Sequence, residues 1–155
     1  MDAKVTWDHG LTFKGSADTK FVVPLGASAS VGGDEDGFRP MELLATGLAG
    51  CTAMDVISIL TKKKQQVTAF EVSVHTEQAS DYPKVFSSAV IEYHVTGKNI
   101  DEESVRRSIE LSAVRYCPAQ AMFAKIMPIR LVYHIYEVGE NGQPRLLKSS
   151  DFVPA

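Results

Sequence analysis

Residues 41–63 restrict the fold more than any other segment, because they predict a helix that is apolar on nearly every side. Pro40 stands where the first turn of a helix tolerates proline. Such a helix must be buried all round, and a chain of 155 residues has few other elements to cover it. Gly47 and Gly50 each cost about 1 kcal/mol relative to alanine inside a helix, and close packing against another helix would offset that. The segment therefore predicts a homodimer in which two such helices meet.

The other elements are predicted from alternating hydrophobicity and turn residues. Strands are expected at residues 4–8, 11–14, 19–23, 69–76, 85–96 and 129–137, and further helices are expected to begin at Asp101 and at Pro118. The short connections between successive strands favour antiparallel pairing. The order βββ–α–ββ–α–α–β predicts an α+β fold with antiparallel sheets packed on helices. We expect one domain over 1–155, in which the "ENGQ" turn leads into a C-terminal extension, 140–155.

Charge and composition exclude several classes of function. The net charge is −3 and no basic block stands out, so we expect no nucleic-acid partner. The start "MDAKVTWDHG" lacks the apolar core of a signal peptide, and no window approaches 18 unbroken apolar residues, so we expect no membrane span. Two cysteines without an export signal indicate a cytoplasmic protein. We expect no metal or cofactor, because no metal-like spacing relates the four histidines, His9, His75, His94 and His134.

Each cysteine, taken alone, fits either an inert core residue or a reactive thiol, since free cysteine is among the most buried residue types. If Pro118 is the first residue of a helix, Cys117 is its N-cap, where free backbone N–H groups and the helix dipole favour a thiolate. Cys51 lies about three turns inside its helix, beyond the reach of free N–H groups. It therefore needs a cation nearby to ionise.

Together the two cysteine segments carry a resemblance. A cysteine within "RPMELLATGLAGCTAMDVISIL" is followed 66 residues later by the "CP" of "ELSAVRYCPAQAMF". With these two pieces the chain resembles the OsmC/Ohr family of osmotically induced and organic hydroperoxide resistance proteins. The likeness extends from "KVTWDHGLTFKG" to "IRLVYHIYEV", and the tail after about Gly139 is longer than is usual in that family.

The resemblance implies a fold and a chemistry. The fold would be an intertwined homodimer whose antiparallel sheets wrap two long central helices. The activity would be thiol-dependent reduction of organic hydroperoxides, with Cys51 as the peroxidatic and Cys117 as the resolving cysteine. The sulfenic acid formed on Cys51 would condense with Cys117 to a disulfide, which an external dithiol would reduce. No metal or cofactor would be required.

The chain departs from the family at the groups that activate the first cysteine. Peroxidatic members carry an arginine before the long helix and a glutamate directly after its opening proline. Here no arginine precedes Arg39, and Glu42 stands one residue beyond the glutamate position. Glu42 either stabilises the helix start or serves the partner's Cys51, since nine helical residues place Glu42 and Cys51 on opposite faces. The candidate catalytic residues are Cys51, Cys117, Glu42 and Arg39.

The cation beside Cys51 has several candidate sources. Lys14, Lys20 and Arg115 are alternatives to Arg39, although lysine lacks the planar fork of arginine. A dimeric ligand-binding or redox-sensing protein without peroxidase activity is the alternative function.

Overall fold

The computed structural model describes residues 1–139 and 142–152. The chain forms two compact units, residues 1–44 and 45–155, which are described separately. Both helices and strands are present and the strands form two sheets, which confirms the α+β class. The grouping of the whole chain into one domain stays a prediction.

The first unit is built around a three-stranded antiparallel sheet in the order β1-β2-β3. Its strands are β1 (Ala3–His9), β2 (Thr12–Ala17) and β3 (Val22–Leu25). The third strand begins three residues later than predicted, because Lys20 has a positive φ of 62° and belongs to the preceding turn.

The long helix α1 (Pro40–Lys62) begins in the first unit and continues into the second. The second unit adds strands β4 (Gln66–Gln78), β5 (Phe86–Lys98), β6 (Ile129–Val138) and β7 (Pro144–Phe152). It also contains helices α2 (Glu102–Leu111) and α3 (Pro118–Phe123), joined by a π-helical turn, Ser112–Tyr116. Asp101 caps α2 by accepting a hydrogen bond from the Ser104 backbone N–H.

The second sheet has the order β4-β5-β6-β7. Its outer pairs are antiparallel, but β5 and β6 are parallel, so the prediction of antiparallel sheets is wrong for this pair. The physical reason is the connection, since α2, the π-turn and α3 form a crossover long enough to return the chain in the same direction. Residues 144–152 of the expected extension are strand β7 of this sheet. Glu140 and Asn141 of the expected turn, and 153–155, lie outside the described residues.

The core of the second unit follows strand alternation. On β5, the side chains of Ile91, Tyr93 and Val95 are fully buried, whereas the residues between them are partly exposed. Val105 and Ile109 of α2 are also fully buried.

In the part of the chain that the structure describes, helix α1 is buried along one stripe only, formed at four-residue spacing by Leu48, Thr52, Val56 and Leu60. Leu44 is 49% exposed and Met54 is 73% exposed, so the expectation of burial on every side is not met within a single chain. By length and composition alone α1 would qualify as a membrane-crossing helix, but the core helix of a soluble protein passes the same test. Gly47 and Gly50 have open space where a Cβ atom would stand.

We propose that a second copy of the chain covers this exposed apolar surface. Sedimentation velocity should show a dimer at micromolar concentration, and Gly47→Leu should shift the protein toward monomer. Because open space surrounds Gly47 within the chain, a leucine there disturbs contacts with the partner rather than those inside the subunit. A folded wild-type monomer at that concentration would contradict the proposal.

Candidate active site

The two cysteines meet within the second unit. Cys51 lies in the middle of α1 and Cys117 lies between the π-turn and α3. Their Sγ atoms are 2.9 Å apart, with the Cys117 thiol donating to Cys51 Sγ, and both cysteines are free. This confirms the prediction that the two sulfurs come close enough to bridge.

Cys117 is the N-cap of α3, as its sequence position predicts. Its Sγ accepts a hydrogen bond from the Gln120 backbone N–H at 3.3 Å. Burial opposes the thiolate that the N-cap position favours: it raises the pKa of Cys117 from 9.0 to about 12, and the hydrogen bond to Cys51 acts in the same direction. With only 2% of the residue exposed, desolvation outweighs the helix N–H groups. Cys117 is therefore a protonated donor to the half-buried Cys51.

A buried polar cluster adjoins the cysteines. Thr52, which follows Cys51 in α1, has its hydroxyl 2.8 Å from the Tyr93 hydroxyl and 2.9 Å from the Ser112 hydroxyl. The Gln120 amide donates to Thr52 Oγ1 at 3.0 Å and to Tyr93 OH at 2.9 Å. Ser112 donates to the Asp55 carboxylate at 3.0 Å. The cluster joins α1, β5, the π-turn and α3.

Counting protons fixes the direction of every hydrogen bond in this cluster. A hydroxyl has one proton to donate, and an ionised carboxylate only accepts. The Ser112 hydroxyl donates its single proton to the Asp55 carboxylate, so the hydrogen bond between Thr52 and Ser112 must be donated by Thr52. Tyr93 must then donate to Thr52, while both Gln120 amide protons are already in use. The chain of donors therefore runs from Tyr93 through Thr52 and Ser112 to Asp55. Burial raises the pKa of Tyr93 to about 12. The Tyr93 hydroxyl therefore keeps its proton and can donate to Thr52.

The cluster holds Cys117 from both sides. Gln120, anchored through its side chain, presents its backbone N–H to Cys117 Sγ. On the other side, the Cys117 backbone N–H donates to the Ser112 carbonyl at 2.9 Å, which is the bond of the π-turn. Single π-turns are frequent at functional sites.

Sequence reasoning missed these partner residues. The available signal was the pair Thr52 and Asp55 near Cys51 in a largely apolar helix, together with Ser112 and Gln120 on either side of Cys117.

The other two predicted site residues, Arg39 and Glu42, contact each other in the first unit. The Glu42 carboxylate accepts from the Arg39 backbone N–H at 2.9 Å and from its guanidinium at 3.1 Å. The backbone contact is the glutamate half of a capping box, which confirms that Glu42 stabilises the helix start. Arg39 also lies 3.8 Å from Glu35. The catalytic roles proposed for Arg39 and Glu42 stay predictions.

Two of the alternative cations also have partners. Lys14 Nζ forms an ion pair with the Asp8 carboxylate at 3.0 Å. The guanidinium carbon of Arg115 lies over the Tyr116 ring, 5.5 Å from the ring centroid.

Comparison with known proteins shows the family of the chain. The family model described as OsmC-like protein matches residues 32–132, which include both cysteines and the π-turn. The chain belongs to the OsmC-like family. It is 34% identical over 138 residues to Protein YhfA of Escherichia coli K12, which covers 89% of this chain and 98% of YhfA.

Solved structures of this family share the fold. An OsmC-like protein from Mycoplasma pneumoniae aligns with a TM-score of 0.74 at 16% identity, over 86% of this chain and 95% of its own. An organic hydroperoxide resistance protein from Legionella pneumophila aligns with a TM-score of 0.62 at 14% identity, over 86% of this chain and 94% of its own. At these identities the likeness concerns the fold.

Because Cys117 holds its proton up to strongly alkaline pH, iodoacetamide at pH 8 should modify Cys51 well before Cys117. In Cys51→Ser, where burial persists, Cys117 should remain slow. Peptide mass spectrometry of the reduced protein measures both rates, and equal rates at pH 8 would contradict a buried, protonated Cys117.

The same raised pKa values make stability pH-dependent on the alkaline side. The folded state keeps the Cys117 and Tyr93 protons where the unfolded chain loses them. The free energy of unfolding should therefore be unaffected by these groups below about pH 9 and should fall as the pH rises toward 12. Urea denaturation against pH measures this, and Cys117→Ser should have a smaller alkaline slope.

Thr52→Val should destabilise the fold by about 2–3 kcal/mol, because it leaves several buried donors and acceptors without a partner. Thr61→Val is the matched control on the same helix. Its exposed hydroxyl donates only to the Ile57 carbonyl, so it should change stability by less than about 0.5 kcal/mol. Equal losses in urea denaturation would show that the cluster is not stabilising.

Proposed function

We propose that this OsmC-like protein is a thiol-dependent peroxidase that reduces organic hydroperoxides through Cys51 and Cys117. The observation that carries the proposal is the 2.9 Å contact between the two Sγ atoms, with Cys117 as the protonated donor. The shared fold with an organic hydroperoxide resistance protein supports it. The cycle suits a reducing compartment such as the cytoplasm, where thiols are regenerated.

In the first step, the Cys51 thiolate attacks the terminal oxygen of the hydroperoxide. The O–O bond breaks, Cys51 becomes a sulfenic acid, and the alkoxide leaves and takes up a proton to become an alcohol. Cys51 is the better nucleophile of the pair because the Cys117 thiol points its proton at Cys51 Sγ.

In the second step, Cys117 sulfur attacks the Cys51 sulfenic acid. The S–O bond breaks, the hydroxyl group leaves with the Cys117 proton as water, and a Cys51–Cys117 disulfide forms. Since the sulfurs are already in contact, resolution needs only local movement. An external dithiol then reduces the disulfide by thiol–disulfide exchange and is itself oxidised to a disulfide.

An apolar cavity beside the site favours organic over inorganic peroxides. It has a volume of about 120 Å³ and meets the polar cluster at Gln120. Its other lining residues have apolar side chains: Ala113, Val114, Ala124, Ile129 and Leu131. A small alkyl group would gain from burial there, whereas hydrogen peroxide would not.

One observation favours the alternative function, a redox-sensing protein without peroxidase turnover. The Arg39 guanidinium, first among the predicted cations, is engaged by the Glu35 and Glu42 carboxylates. A Cys51 without an activating cation would oxidise slowly and form the disulfide only under sustained oxidation.

A stopped-flow assay with cumene hydroperoxide separates the two functions. The reduced protein should consume one equivalent of hydroperoxide and form the Cys51–Cys117 disulfide. Cys117→Ser should still consume one equivalent but stop at a Cys51 sulfenic acid that dimedone traps, and Cys51→Ser should be inactive. Wild-type consumption no faster than that of Cys51→Ser would remove the peroxidase proposal.

The role of Arg39 is measured by the rate of Cys51 alkylation against pH. If Arg39 of either subunit supplies the cation, Arg39→Ala should slow alkylation at pH 7 about tenfold, the effect of one pKa unit. Arg107→Ala is the matched control, since Arg107 forms a similar exposed pair with Glu110. Equal rates of Cys51 alkylation in the wild type, Arg39→Ala and Arg107→Ala would show that Arg39 does not activate Cys51.

A further inference from the structure

A second group of reactive side chains lies on the four-stranded sheet. Glu92 and His94 flank the buried Tyr93 on β5, so they occupy the face of the sheet opposite to that tyrosine. His134 of β6 pairs directly with His94 in the parallel register. Strand pairing thus brings together three ligand-type residues that neither cysteine contacts.

Their ligand atoms lie close together. Glu92 Oε2 lies 3.5 Å from His94 Nε2 and 3.7 Å from His134 Nε2, and all three atoms lie within 4.8 Å of one another. The side chains are 31%, 28% and 17% exposed, in the order Glu92, His94, His134. The group is therefore sheltered but reachable from solvent.

One of these atoms lacks a hydrogen bond. Within residues 1–139 and 142–152, His134 Nε2 is buried without a hydrogen-bond partner. A buried polar atom in that state costs free energy that a ligand would recover. The nearest acidic oxygen, on Glu92, is beyond hydrogen-bond distance.

We propose that Glu92, His94 and His134 form a binding site for a divalent transition-metal ion of the zinc class. Two imidazoles and one carboxylate suit such ions, whereas magnesium and calcium prefer oxygen ligands. Bonds of about 2.0–2.1 Å in a tetrahedron separate ligand atoms by roughly 3.3 Å, so the observed separations of 3.5 and 3.7 Å need small contractions.

Binding also requires a change of ring orientation. The His94 and His134 rings are stacked, with centroids 4.6 Å apart and planes 15° from parallel. The ion must lie near both ring planes, so the rings turn about their Cβ–Cγ bonds until the two Nε2 lone pairs converge.

Tyr136 provides the support that metal-bound histidines commonly have. Its hydroxyl lies 3.2 Å from His94 Nδ1. When His94 Nδ1–H donates to that oxygen, the Nε2 lone pair is free for the metal. Three protein ligands leave a fourth position for water, and the ion would cross-link β5 to β6, the parallel pair of the sheet.

Sequence spacing predicted no metal site among the histidines. His94 and His134 are 40 residues apart, and only the parallel register of β5 and β6 makes them neighbours.

The test uses the full chain carrying Cys51→Ser and Cys117→Ser, since thiolates also bind zinc. Titration with cobalt(II) should show one ion per chain, with visible d–d absorption and no thiolate charge-transfer band. Zinc should displace the cobalt and raise Tm by several degrees. His94→Gln, His134→Gln and Glu92→Gln should each weaken binding at least about tenfold, whereas His75→Gln, at an exposed histidine of the neighbouring strand β4, should not.

A second measurement leaves Glu92, His94 and His134 unchanged, so its result does not depend on whether the substituted variants fold. Long-range ¹H–¹⁵N spectra of the histidine rings, recorded with and without zinc, should show Nε2 of His94 and His134 shifting while His9 and His75 stay in place. Stoichiometric binding that shifts neither ring, binding that His75→Gln removes equally, or no binding at micromolar zinc would overturn the proposal.

Discussion

The buried hydroxyl of Thr52 connects the elements of the second unit through three hydrogen bonds. It accepts from Tyr93 and Gln120 and donates to Ser112, so its hydrogen-bonding capacity is filled. These partners belong to β5, α3 and the π-turn, and a single buried oxygen therefore relates four elements of the chain. The direction of the whole cluster is set at its far end by the Asp55 carboxylate, which only accepts.

This constraint has a chemical consequence at the neighbouring residue. Thr52 follows Cys51, and Ser112 and Gln120 stand on either side of Cys117, so the cluster that fastens the elements also brings the two sulfurs together. Burial then separates the properties of the thiols. Cys117 is desolvated and keeps its proton, whereas Cys51 is half-buried and receives it as a hydrogen bond. The two thiols thus differ in solvation and in hydrogen-bonding role because of their positions in the fold.

The outer surface of α1 poses a different problem. Among residues 1–139 and 142–152, only one stripe of the helix is buried, and Gly47 and Gly50 face open space. In the first unit every residue of β1 is exposed, Val5 and Trp7 included. Apolar surface of this extent marks an interaction site. The proposed second copy of the chain would account for both the apolar helix and its glycines.

Local signals in the sequence determined most of the elements, although not strand β7, and one feature of the site. The apolar run with Pro40 predicts α1 to within a residue at each end, and the "CP" dipeptide makes Cys117 an N-cap, because both depend on neighbours a few residues away. Tertiary structure decided the rest. The parallel β5–β6 pair, the bonds of Thr52 to residues 41 to 68 positions away, and the His94–His134 contact all depend on strand register and on crossovers. The pKa of Cys117 was decided the same way, since burial, a property of the folded chain, outweighs the helix N–H groups that its sequence position supplies.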